Sequence, residues 1–179
     1  MSIIIGIDPG SHVTGYALIE RGGNNLVLIE GGVIKISRHI DKHERLRYLY
    51  SEVSEILSNH NPEYAAIEDS FYYKNVKTSL YLGQVKGVLI LALLNGGCKI
   101  FEFSPLEIKK AIVGYGQASK QQVEFMVKRL LKISEGINYS DYYDAIAAAI
   151  CLLNTMFNGA NNVAIKMNHK RVIRRNLIR

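Results

Sequence analysis

Cysteine is scarce in this chain of 179 residues. The two present, Cys98 and Cys151, lie far apart, with neither the spacing of a metal site nor the number for a disulfide framework. Long apolar runs are missing as well. The longest, Val88 to Leu94, falls well short of the ~20 residues that cross a bilayer. The N-terminus lacks the charged start and small-residue cleavage site of a secretory signal. These absences lead us to expect a protein of the reducing cytoplasm with no membrane partner. No internal repeat is visible, and the only low-complexity piece is the short "NGANN". An apolar share of 48% over this length suits one domain with a packed core.

Acid is missing from one end. Residues 166–179, "KMNHKRVIRRNLIR", hold six Lys or Arg and no Asp or Glu, whereas the rest of the chain has 16 basic and 16 acidic residues. The net charge of +6 therefore belongs to a tail and not to the body. Such a tail suits phosphate backbones. It equally suits a solvated, disordered end.

What is present reads as alternating strand and helix signals. Strands are expected at residues 3–8, 14–20 and 26–36, joined by the tight turn "DPGSHVT" and by "RGGNN", which makes an antiparallel meander. The stretch "HERLRYLYSEVSEILSNHNP" places Leu46, Leu49, Tyr50, Val53, Ile56 and Leu57 on one helical face and stops at Asn61-Pro62. A short strand "YAAIE" follows, then the apolar helix "NVKTSLYLGQVKGVLILALLNGG", then the strand "CKIFEFS". Helices are expected over 105–113, from Lys120 to Leu131, and through "SDYYDAIAAAICLLNTMF". Strand–helix–strand steps favour parallel neighbours. The fold class is α/β, a mixed sheet flanked by helices.

Four carboxylates stand at telling places. Asp8 ends the buried strand "IIIGID" and Glu68 ends "YAAIE". Asp69 beside it should point to the opposite face, because strand side chains alternate. Asp141 and Asp144 are three apart at a helix start, on one face of the first turn. Each has a plain alternative: an Asx turn for Asp8, a surface acid for Glu68, helix capping for the pair. Converging at one sheet edge, however, four carboxylates oppose one another's ionisation. Hard divalent cations relieve that repulsion, and Mg²⁺ also binds substrate phosphates. Two ions ~3.5–4 Å apart can clamp the attacking water and leaving oxygen of a phosphodiester.

From "GIDPGSHVTGYALIE" through "AAIEDSFYYKN", "LGQVKGVLI" and "VGYGQASKQQVEFMV" to "DYYDAIAAAI", about residues 3–155, the chain resembles the RuvC-type Holliday junction resolvases. These are crossover junction endodeoxyribonucleases of the ribonuclease H-like superfamily. The resemblance implies a ribonuclease H-like mixed five-stranded sheet over residues 1–158, with residues 159–179 as a basic C-terminal tail. By position, Asp8, Glu68, Asp141 and Asp144 match the family's metal-binding catalytic quartet. Phe71 matches an aromatic that inserts near the junction crossover, and Lys109 and Lys120 match basic residues near the DNA backbone. The resemblance further implies two Mg²⁺ ions per site, with Mn²⁺ able to substitute. It implies paired symmetric nicks in a four-way DNA junction, a homodimer, work in DNA recombination and repair, and contact with the RuvA–RuvB branch-migration complex. Two features depart from the pattern: Tyr142 and Tyr143 stand between the paired acids where small residues are usual, and the basic tail has no counterpart.

Other readings share parts of this pattern. "GIDPGS" is similar to the phosphate loop of actin-like ATPases and sugar kinases, but those need two such domains to enclose ATP. A YqgF-like ribonuclease H-fold nuclease acting on RNA, and a non-catalytic junction-binding module, are the remaining alternatives. The full Asp-x-x-Asp ending and the Phe71 loop favour the resolvase over the first of these. Four aligned acids favour it over the second.

Overall fold

The computed structural model describes residues 2–23, 25–69, 76–133 and 138–158. Phe71 and the basic tail from residue 159 lie outside the described residues.

Branched side chains fit a pleated surface and resist helix, and "IIIGID" forms the first strand, β1 (Ile3–Asp8), with Ile4, Ile5 and Ile7 buried. It is the central strand of the sheet. β2 (Val13–Gly22) returns antiparallel to it, and β3 (Asn25–Lys35) pairs antiparallel with β2. α1 (Lys42–His60) starts on Asp41, whose carboxylate accepts the His43 N–H, and ends at Asn61 in the left-handed conformation (φ 47°), just before Pro62. β4 (Tyr64–Glu68) then lies parallel to β1. α2 (Val76–Asn95) leads to β5 (Lys99–Phe103), parallel to β4. α3 (Pro105–Val113) and α4 (Lys120–Leu131) each open on a capping box, Ser104 with Glu107 and Ser119 with Gln122. α5 (Ser140–Asn158) completes the chain's described part.

The sheet order is β3-β2-β1-β4-β5, three antiparallel strands followed by two parallel ones, the mixed five-stranded arrangement expected from the sequence. Alternation of side chains divides the core in two. Ile5, Ile7, Leu18 and Ile67 face α1 and α2, whereas Ile4, Ala17, Ile19 and Ala66 face α5, backed by α3 and α4. By length and composition α2 passes the test for a membrane-crossing helix. One face of it, Val85, Leu89, Ala92 and Leu93, packs into the sheet core, and Lys86 is buried against Asp69 and Glu102.

α5 lies directly on the sheet because two glycines make room. A Cβ on Gly6 of β1 would fall 2.0 Å from the Ala145 carbonyl oxygen, and one on Gly15 of β2 would fall 1.9 Å from that of Asp141. The bulky pair Tyr142 and Tyr143, the departure noted in the sequence, is buried, with ring centroids 4.9 Å apart in an edge-to-face contact. The Tyr142 ring lies over Gly31 of β3, where a Cβ would fall 2.8 Å from it, and the Lys128 ammonium of α4 lies 4.9 Å from the Tyr143 ring centroid, so the helix start stays seated on Gly15.

Candidate active site

β1 and β4 are parallel neighbours with Ile7 opposite Ile67. One residue further, both strands end at the same edge of the sheet, at Asp8 and Glu68. Both share the parity of Ile4 and Ala66, so both side chains face α5. Asp8 is also paired across the hairpin with Gly15, the residue against which the Asp141 backbone rests. A strand-end acid and a helix-start acid are thus brought together by the smallest side chain. Ser140 begins α5, so Asp141 sits inside the first turn and not at the cap, with Asp144 one turn on.

Charge tells how near these groups are. The Asp8 carboxyl is held well above its ordinary range by burial first, then by the negative charges of Glu68, Asp144 and Asp141. Glu68 is pushed up to about 7 by burial and by Asp144, with Asp141 adding to the effect. Lys120 and Lys109 work against that rise. The Lys120 ammonium lies 2.6 Å from a carboxylate oxygen of Asp144, whose side chain is 16% exposed. Burial works against the Lys120 charge, yet the Asp144 hydrogen bond and the charges of Asp144, Asp8 and Glu68 raise it above its usual range. The fold therefore gathers Asp8, Glu68, Asp141, Asp144, Lys109 and Lys120 at one edge; Phe71 is the one candidate outside the described residues.

Four acids against two lysines leave excess negative charge, which asks for protons or further cations. All-oxygen donors with bound water suit a hard divalent ion. As the side chains stand, no three Asp, Glu, His or Cys among the described residues are arranged around one point to hold an ion. The donor chemistry fits a metal, while in the present arrangement one of the acids, Asp144, is held by Lys120.

Sequence reasoning missed two things. One is Gly15, which falls within the expected second strand, where nothing local marks a glycine as the docking point of a distant helix. The other is the partner of Asp69. Its carboxylate lies 2.5 Å from the Lys86 ammonium on the α2 face, and Lys86 also pairs with Glu102 of β5.

A hairpin-led mixed sheet with acids at the ends of its first and fourth strands and at the start of its last helix defines the ribonuclease H-like class of fold. The sequence profile of the family "Crossover junction endodeoxyribonuclease RuvC" matches residues 4–152. The chain belongs to that family. It is 43% identical over 149 residues to the crossover junction endodeoxyribonuclease RuvC of Pelotomaculum thermopropionicum, covering 83% of this chain and 91% of that protein. It is 45% identical over 148 residues to the protein of the same name from Caldanaerobacter subterraneus, covering 83% and 90%. Among solved structures it resembles Thermus thermophilus RuvC with a TM-score of 0.79 at 28% identity, covering 88% of this chain and 96% of that one. The same protein in complex with a Holliday junction substrate gives 0.80 at 26% identity, with the same coverage.

Proposed function

We propose that this chain resolves four-way DNA junctions, cutting phosphodiester bonds in symmetric pairs in a metal-dependent hydrolysis. The observation that carries the reading is the unbalanced acid cluster at the edge of β1 and β4, where burial and mutual repulsion hold Asp8 and Glu68 protonated above the normal range. Family membership and the junction-bound relative support the choice of substrate. Mg²⁺, two ions per site with Mn²⁺ as a substitute, would supply Lewis acidity and charge neutralisation at the scissile phosphate.

The chain's own residues do the rest. Asp8 and Glu68, as carboxylates at the ends of β1 and β4, would hold the cations from the sheet. Asp141 and Asp144 complete the donor set from α5, whose first turn is fixed on Gly15. Lys120 and Lys109, the cations beside the acids, would steady the DNA backbone next to the reacting phosphate. The leaving 3′ oxygen departs and a 5′-phosphate remains, so that a ligase can seal the paired nicks. Phe71 belongs to this reading as the aromatic that opens the crossover.

A homodimer suits the task, since two sites must meet two strands. α2 supports it with an exposed stripe of Leu80, Gly83, Gly87, Leu91 and Leu94 opposite its core face. Two glycines on that stripe have open space above them and permit close approach of a partner helix. We further propose work in recombination and repair in the cytoplasm, alongside the RuvA–RuvB branch-migration complex.

The test is cleavage of a labelled four-way junction, with linear duplex and an RNA–DNA hybrid alongside, each with Mg²⁺ and with EDTA. Paired symmetric nicks confined to the junction and lost in EDTA are expected. Cutting of the hybrid alone would make the chain a ribonuclease, and tight binding without nicks a junction-binding module.

A further inference from the structure

Lys109 and Lys120 stand on different helices, and the short stretch "GYGQAS" joins the two. Gly114 caps α3 in the left-handed conformation (φ 92°), which side chains with a Cβ seldom adopt, and its N–H donates to the Lys110 carbonyl at 3.0 Å. The chain then folds back on the start of α3. A Cβ on Gly116 would lie 3.1 Å from Cδ2 of Leu106 and 3.3 Å from its carbonyl oxygen. Beyond it Ala118 is buried and Ser119 caps α4. Between these fixed points Tyr115 stands 46% exposed, and Leu106, against which Gly116 packs, is 59% exposed. Apolar side chains scattered singly over a surface are ordinary. Here an aromatic and a leucine are held together at one corner.

That corner lies beside the acid cluster. β5 is in register with β4 so that Phe103 stands opposite Glu68, and Leu106 follows in the first turn of α3. Lys109, further along α3, acts on Glu68, and Lys120, at the start of α4, lies 2.6 Å from Asp144. From Lys109 to Lys120 the chain contains no acid. Glu107, the acid in the first turn of α3, is engaged by the Ser104 N–H at 2.8 Å and the Ser104 hydroxyl at 2.7 Å. A polyanion drawn to these lysines passes the exposed ring. An aromatic beside cations that track a nucleic-acid backbone is a platform for a base whose own stack is broken. A continuous duplex hides its base faces, whereas a branch point interrupts the stack.

We propose that Tyr115 stacks on a base unstacked at the branch point of the junction, with Leu106 as the apolar surface beside it. The inference rests on the junction reading above. It adds to the backbone contacts of Lys109 and Lys120 an apolar contact that tells a branched strand from a continuous duplex. Because every base has a flat apolar face, the contact reads structure and not sequence.

The experiment is binding of a four-way junction and of a linear duplex by the full chain in EDTA, followed from about 50 to 200 mM salt, where backbone contacts show as the slope of affinity against salt. Tyr115→Ala should weaken junction binding on the order of tenfold, the scale of one lost base–aromatic stack. Its slope against salt should stay that of the wild type, because no charge is removed. Tyr115→Phe keeps the ring and should bind the junction as the wild type does. Linear duplex should bind all three proteins alike. Tyr48→Ala removes a comparably exposed ring from α1, on the other face of the sheet, and should leave junction binding unchanged. An unchanged affinity in Tyr115→Ala, an equal loss in Tyr115→Phe or Tyr48→Ala, or an equal loss on linear duplex overturns the stacking while the wild type's junction binding and cleavage still stand. A wild type that neither binds nor cuts the junction overturns the junction reading itself, and the stacking with it.

Discussion

Glu68 and Asp69 are adjacent acids at the end of one strand, and the sheet sends them to opposite fates. Glu68 turns towards α5, into a group with more carboxylates than cations, and its carboxyl rises to about 7. Asp69 turns towards α2, where Lys86, itself 8% exposed, bridges it to Glu102. On that side burial works against the Lys86 charge, but hydrogen bonds to Asp69 and Glu102 and their negative charge hold it above its ordinary range. One cluster is closed: its charges satisfy one another and tie β4, β5 and α2 together. The other is left short of positive charge, at a cost in stability, and that shortage is what a catalytic cation would fill. Where a fold leaves like charges unpaired at one edge, chemistry is to be sought there.

The sharpest way to break this contrast is to remove an acid from the open cluster. Asp8→Asn should lower cleavage by on the order of a thousandfold. Junction binding in EDTA should persist and the melting temperature should hold or rise, because repulsion falls. Parallel loss of binding and cleavage would mean that Asp8 shapes the fold and does not serve the reaction. Gly15→Ala should act on the same cluster through position alone, since its Cβ would collide with the Asp141 carbonyl. We expect a cleavage loss on the order of a hundredfold together with lower stability, scaled by the misplacement that distant substitutions are known to cause. Intact activity would show that α5 can shift without cost.

In the closed cluster the effect should fall on stability. Lys86→Met leaves Asp69 and Glu102 facing each other, and because both acids are partly exposed (34% and 45%) the loss should be about 1–2 kcal/mol by urea unfolding. No change would make the bridge ornamental. A subtler contrast is in pH. With Glu68 at about 7 in the fold against an ordinary 4.5, the folded protein holds the extra proton between those values. Its stabilising share is present in full below about 4.5 and is lost as pH rises through 7. The melting temperature of the EDTA-treated protein should therefore decline over that window, and Mg²⁺ should restore more of it at the upper end. A flat profile in EDTA would show that the acids do not feel one another. The smallest effect should come from Asp69→Asn, which is expected to leave cleavage within about threefold of the wild type, since it removes a charge outside the reacting group.

The sequence made most of the fold legible because its punctuation is strong. Asn61-Pro62 ends α1, Pro105 opens α3 behind the Ser104 capping box, and α4 occupies Lys120–Leu131 as expected. The isoleucines of β1 could only be a strand buried on both faces, and three strands with short turns before the first helix could only be a meander. What stayed hidden were contacts between residues far apart in the chain. Lys120 on Asp144, Lys86 between Asp69 and Glu102, and Gly15 under Asp141 each join segments whose meeting no periodicity announces.

By itself the sequence determined the element order, the parity that sends Asp8 and Glu68 one way and Asp69 the other, and the acid pair at the start of α5. These follow from local rules, the two-residue repeat of a strand and the 3.6-residue repeat of a helix. Only the tertiary structure decided which acids keep a cation and which are left to repel one another. Charge balance depends on distances across the sheet and on burial, and both are set by how α2, α4 and α5 pack on it.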